Sequence, residues 1–291
     1  MSRTARLSLA LVLNLVLTAG LVVAGRSAHS TGLVADAGHN LTDAVAIVVV
    51  LGAEILASRP ANARRSWGLE RASILAALAN GLVLIAVTGS IAWLAIGRLV
   101  HPQEVHGTTV LVAASISALV NLVVVGLLVE DHGDLSVRSA WLHAVGDVLG
   151  SAVVALSGLV AMLASGPVVE RIDPIASLLV AGLIIVEALR ITRSSIHILL
   201  EGVPADLDLE DVRTALCGSE GVVEVHDLHV WSLSSATRAM SAHVVVEGDP
   251  TLSEATSTLA EARSMLRSRF AIDHATLELE ASSCEGDGTH R

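Results

Sequence analysis

"LVADAGHNLTDAVAIVVVLGAEIL", residues 33–56, decides the fold. The stretch is mostly apolar or small, yet Asp36, His39 and Asp43 stand in its first half. Its length suits a helix crossing a hydrocarbon core of about 30 Å, which takes about 20 residues. A charged carboxylate at mid-bilayer costs about 2.5–3.5 kcal/mol on insertion scales. These polar side chains must therefore face a bundle interior, a cavity or a bound cation. In a helix, His39 and Asp43 are four apart and share one face.

Working outward, five further apolar segments accompany it: Leu7 to Ala24, Ile74 to Val100, Thr108 to Val129, Trp141 to Ala164 and Pro174 to Ile191. Each is long enough to span a bilayer and helical by default, because only helices and closed barrels satisfy their backbone in lipid. The first is read as a membrane helix rather than a cleavable signal, since its apolar run exceeds a usual signal core. Composition agrees: 53% of the 291 residues are hydrophobic and only 16% charged, against about 25% in a soluble domain. There is no lysine, so orientation rests on arginine alone. One side of a six-span bundle carries Arg3, Arg6, Arg59, Arg64, Arg65, Arg71, Arg138, Arg190 and Arg193; the other has Arg26, Arg98 and Arg171. The arginine-rich side, with both termini, is expected in the cytoplasm of a cell whose inner (plasma) membrane holds the chain.

From residue 201 the texture changes. Capped helices and alternating strands follow in the order α-β-β-α-β, a small α+β domain. In "HATLELE", Ala275, Leu277 and Leu279 fall on one face and His274, Thr276, Glu278 and Glu280 on the other. The expected division is 1–200 in the membrane, 201–281 as the cytoplasmic domain and 282–291 as a flexible tail. The net charge of −11 lies largely after residue 200 and argues against nucleic acid as a partner. Cys217 and Cys284 form no CxxC pair, so no disulfide framework is expected.

The fifth apolar segment repeats the spacing of the second, with His143 and Asp147 four apart. Two such helices packed face to face would converge two nitrogens and two oxygens, a suitable set for tetrahedral zinc. The lack of thiolate disfavours copper(I), and two imidazoles disfavour magnesium or calcium. An ionisable cluster at this depth marks a transport pathway by default, and the same groups bind protons. Exchange of a metal cation for protons is the natural mechanism. Asp36, one turn before His39, is a candidate for a supporting role, a gate or a helix cap. Gly38, Ala44, Gly146 and Gly150 are expected to let helices approach closely. An intramembrane metal-dependent hydrolase is the competing reading, but H-E-x-x-H is absent. A metal sensor or storage protein without flux is another.

With "LVADAGHNLTDA", "RASILAALANG", "LHAVGDVLGS", "DPIASLLVAGLI", "LLEGVP" and "VHDLHVWSL", the chain resembles the cation diffusion facilitator family of metal-cation/proton antiporters, especially its bacterial zinc- and cadmium-exporting branch. The resemblance implies six transmembrane helices, a cytoplasmic metallochaperone-like domain and a homodimer, in a transporter rather than an enzyme. It implies transport ligands at His39, Asp43, His143 and Asp147, carrying zinc, with cadmium, cobalt or nickel tolerated. The ligand set alone does not rank zinc above cadmium, cobalt or iron, so these stay candidates. It also suggests a second metal site in the cytoplasmic domain, drawn from His226 and His243, with Glu280 and Cys284 as further candidates. His226 and His229, three apart on a strand, are expected on opposite faces. The loop "RPANARRSWGLERAS" lacks the histidine often found there, and "VEDHGDLSVR" holds only His132, so no loop metal site is expected.

Overall fold

The computed structural model describes residues 3–128, 135–166, 168–234, 237–248 and 250–281. Six long helices come first: α1 (Arg3–Ser27), α2 (Thr31–Ala57), α3 (Ala72–Val100), α4 (Gly107–Leu128), α5 (Leu135–Leu163) and α6 (Ile172–Leu199). Their ends follow the chemistry of the breaks. Pro60 follows α2 and Pro102 follows α3, and the residue before a proline avoids the α region. His29, between α1 and α2, takes a left-handed φ of 53°. Pro174 sits in the first turn of α6, where its missing N–H costs nothing. Among the described residues, Ala72–Val100, Val145–Leu163 and Val169–Leu199 are long and apolar enough to cross a membrane; Leu11–Ser27 and Gly107–Val123 are shorter apolar helices.

The chain divides into two compact units, residues 1–51 with 79–192 and residues 52–78 with 193–291. In the first, Leu21, Leu33, Leu84, Val110, Val154 and Val180 bring all six helices into one apolar core. Two contacts set its geometry. A Cβ on Gly107 would collide with the backbone of Met162, and one on Gly158 with the backbone of Leu111, so α4 and α5 approach at glycine distance. At the start of α6, the buried Asp173 carboxylate accepts from Ser30 Oγ at 2.5 Å, Thr31 N at 2.8 Å and Thr31 Oγ1 at 2.9 Å. The first turn of α2 is thereby capped from α6. Of the four small residues expected at close approaches, Gly38 meets α3 tightly, with Ile91 and Val87 at 3.1 and 3.3 Å from a built Cβ. A Cβ on Gly146 would meet nothing within 4 Å among the described residues.

The second unit holds α7 (Leu209–Cys217), β1 (Val222–Ser232), β2 (Arg238–Val246), α8 (Leu252–Phe270) and β3 (His274–Glu280), the expected α-β-β-α-β order. The sheet runs β1-β2-β3, with β1 and β2 antiparallel and β2 and β3 parallel. A parallel pair needs a crossover, and α8 supplies it. Thr251 and Glu254 cap α8 reciprocally, and the hydrogen bonds from Thr251 hold the Glu254 carboxyl below the usual carboxylate range. Arg238 donates to both oxygens of Asp206, at 3.0 and 2.8 Å, and lowers that carboxyl likewise. Val212, Leu216, Met240, Leu266 and Leu277 fill the core. The connection between α2 and α3 belongs to this unit: Trp67 meets the His274 ring edge-on at 4.6 Å, and Arg71 pairs with Glu201 at 2.8 Å.

The register of β1 shifts between His226 and His229, where Asp227 takes a left-handed φ of 49°. One extra residue in a strand reverses the alternation beyond it. Val225, Leu228 and Val230 are buried, so His226 and His229 lie on the same face. This corrects the expectation of opposite faces.

Candidate metal centres

The helix α2 carries His39 and Asp43 on one face, as their spacing requires. His39 Nε2 lies 2.9 Å from Asp147 Oδ1 of α5 and 3.5 Å from Asp43 Oδ2. One ligand atom from each of the three falls within 4.8 Å of the others, so a single cation can touch all of them. His143 stands one turn before Asp147 in α5; its side chain lies outside the described residues. One nitrogen and two carboxylates in this partly buried setting offer a donor set of mixed N and O character that a divalent cation could share.

Asp36 is held beneath this group rather than in it. Ser117 Oγ of α4 donates to Asp36 Oδ2 at 2.7 Å, and Ser151 Oγ of α5 at 3.2 Å. The two serine hydroxyls are themselves 3.0 Å apart, and Asn40 donates to the Asp36 carbonyl at 3.0 Å. Ser151 is one turn after Asp147 and Asp36 one turn before His39. The three-helix hydrogen-bonded knot therefore sits immediately below the groups that bridge α2 and α5. Sequence spacing did not single out Ser117 or Ser151, because a serine in an apolar helix is ordinary.

The second group forms on the sheet. Directly paired residues His226 and His243 bring their rings to 5.2 Å, and Glu280 reaches both from the far strand. Its Oε1 lies 2.7 Å from His243 Nδ1 and its Oε2 lies 3.3 Å from His226 Nε2. The Glu280 side chain is only 9% exposed, so two imidazoles enclose its charge. His226, His243 and Glu280 can share one cation. The β1 bulge adds Asp227, 3.1 Å from His229 Nε2 and 3.7 Å from His243 Nε2, a residue the sequence reads as structural rather than as a ligand. Cys284 lies outside the described residues.

The chain is similar to known proteins along nearly its whole length. The family description "Cation efflux transmembrane domain" matches residues 7–200, and "Cation efflux protein, cytoplasmic domain" matches residues 204–282. The cadmium, cobalt and zinc/H(+)-K(+) antiporter of Bacillus subtilis is 34% identical over 91% of this chain and 85% of its own length. Zinc transporter ZitB of Escherichia coli is 34% identical over 92% of this chain and 85% of its own. The solved metal-bound C-terminal domain of the CzcD transporter from Cuprividus metallidurans is 34% identical over 25% of this chain and 99% of that one, with a TM-score of 0.23. This is a transporter family and not an enzyme family. With both parts matched along nearly its whole length, the chain belongs to the cation efflux family, the cation diffusion facilitators.

Proposed function

We propose that the protein exports a divalent metal cation, zinc first among candidates, from the cytosol in exchange for protons. Cadmium, cobalt and iron are alternative cargoes; the metals in the relatives' names support the first two. His39, Asp43, His143 and Asp147 are the transport ligands, and Asp36 supports them through Ser117 and Ser151. The carrying observation is the 2.9 Å approach of His39 and Asp147 across two helices, with Asp43 beside them. Such a group binds metal when deprotonated and releases it when protonated, so an inward proton gradient drives the cation out.

Residues 1–200 form the membrane domain and 201–281 the cytoplasmic one, with both termini in the cytoplasm of an inner-membrane protein. The arginine asymmetry supports this orientation. The chain works as a homodimer, as the family resemblance implies. His226, His243 and Glu280 form a second, cytosolic zinc site.

Proton-driven zinc flux in proteoliposomes tests the main reading. Asp43→Ala and Asp147→Ala each abolish flux while the protein retains its helix content. Unchanged flux in both variants would refute the site.

A further inference from the structure

The loop between α1 and α2 meets the loop between α3 and α4 at one end of the membrane unit. His106 N donates to the Ala28 carbonyl at 3.1 Å, and the Arg98 guanidinium donates to the His29 carbonyl. These bonds pin the two loops together and bring the His29 and His106 rings to 6.2 Å, tilted by 34°. Both rings are exposed, so little apolar burial holds them there. His29 holds a left-handed backbone at this place, φ 53°. A side chain held in that sparsely populated region is a cost the surroundings must offset, and such positions gather at functional sites.

We propose that His29 and His106 form a two-nitrogen binding site for a divalent transition cation, zinc or a close relative, distinct from both groups described above. A ring centre stands about 3.2 Å from a zinc ion bound by one of its nitrogens, given a bond of about 2.0–2.1 Å. Two rings on one tetrahedral ion are then about 5.2 Å apart; about 6.4 Å would need the two nitrogens on opposite sides of the ion, which a tetrahedron does not allow. The cytoplasmic pair His226 and His243 stands at 5.2 Å. The pair at 6.2 Å needs one exposed ring to turn by about 1 Å, which solvent-facing rotamers do freely.

Two protein ligands leave half of a tetrahedral shell to water. Such a site exchanges metal quickly and holds it weakly, which suits a cation passing through rather than one stored. The loops lie at the end of the bundle that carries Arg26, Arg98 and Arg171. In the proposed orientation this is the outer mouth, so the pair meets exported metal. That placement rests on the function proposed above; the binding itself does not.

Acylation by diethyl pyrocarbonate, followed residue by residue by mass spectrometry on the detergent-solubilised full chain, tests the pair. Zinc chloride slows modification of His29 and His106 severalfold, with one half-saturating concentration for both. In His29→Asn, whose asparagine tolerates the left-handed backbone, His106 reacts in zinc as fast as without it. Protection persists in the double variant Asp43→Ala/Asp147→Ala, where the transport site is dismantled. The proposal is overturned if zinc leaves His106 unprotected in the native chain. It is equally overturned if His106 stays protected in His29→Asn, or if the two residues saturate at different zinc concentrations. Loss of protection in the double variant would also overturn it, whereas failure of zinc flux alone would not.

Discussion

Asp36 touches three polar side chains on three helices and yet stands outside the ligand group. Its bonds tie α2, which carries His39 and Asp43, to α5, which carries Asp147, and losing a group that positions ligands typically costs about 10–100-fold in metal affinity. Asp36→Ala is therefore expected to weaken zinc binding by about that factor, read by titration of the purified protein, with helix content unchanged; equal affinity would remove Asp36 from the site. Much at this scale is legible in sequence. His39 with Asp43, and His143 with Asp147, are i, i+4 pairs in apolar helices, and burial cost alone says they have a partner. What periodicity does not carry is sideways bonding, such as Ser117 and Ser151 reaching Asp36, because it depends on which helices become neighbours. The same holds for Asp227, whose left-handed φ turns His229 onto the face of His226.

At the scale of elements, the six helices and the α-β-β-α-β order follow from hydropathy and alternation, since each is a local property of the chain. Helix contacts do not. Gly107 and Gly158 bring α4 and α5 to glycine distance, whereas Gly146, chosen for its nearness to Asp147, meets nothing within 4 Å among the described residues. The cap on α2 comes from Asp173, more than 140 residues away in sequence. Removing that carboxylate leaves the Ser30 hydroxyl and the Thr31 N–H buried without their acceptor, at about 1–3 kcal/mol for each orphaned group. Asp173→Ala should lower the thermal midpoint in detergent by several degrees, whereas substitution of the exposed Glu104 should not. Because His39 stands only about two turns in from the α2 N-terminus, the same variant should also reduce flux.

For the whole molecule, the two candidate metal groups differ in what surrounds them. The membrane group bridges packed helices; the cytoplasmic group bridges three strands through His226, His243 and Glu280. A ligand that binds only the folded state stabilises it by about 2.7 kcal/mol at one hundred times its dissociation constant. Zinc should accordingly raise the melting midpoint of the full chain, and a chelator should reverse the shift. Glu280→Ala should lose the part of the shift that belongs to the cytoplasmic domain, seen as chelator-insensitive proteolysis of residues after 200. Acidification should act in the same direction as the chelator, because His226 and His243 must be neutral to bind metal.

The glycine contact between α4 and α5 bears on motion. Where two backbones touch without intervening side chains, the helices have no cushion to slide on, and neighbouring turns interlock. The α4–α5 pair is thus a single lever. Asp147 rides on it, while His39 and Asp43 ride on α2. Any change in access that separates His39 from Asp147 must swing two helices at once and shear the Asp36 knot, which gives the transition a discrete threshold instead of a continuous drift.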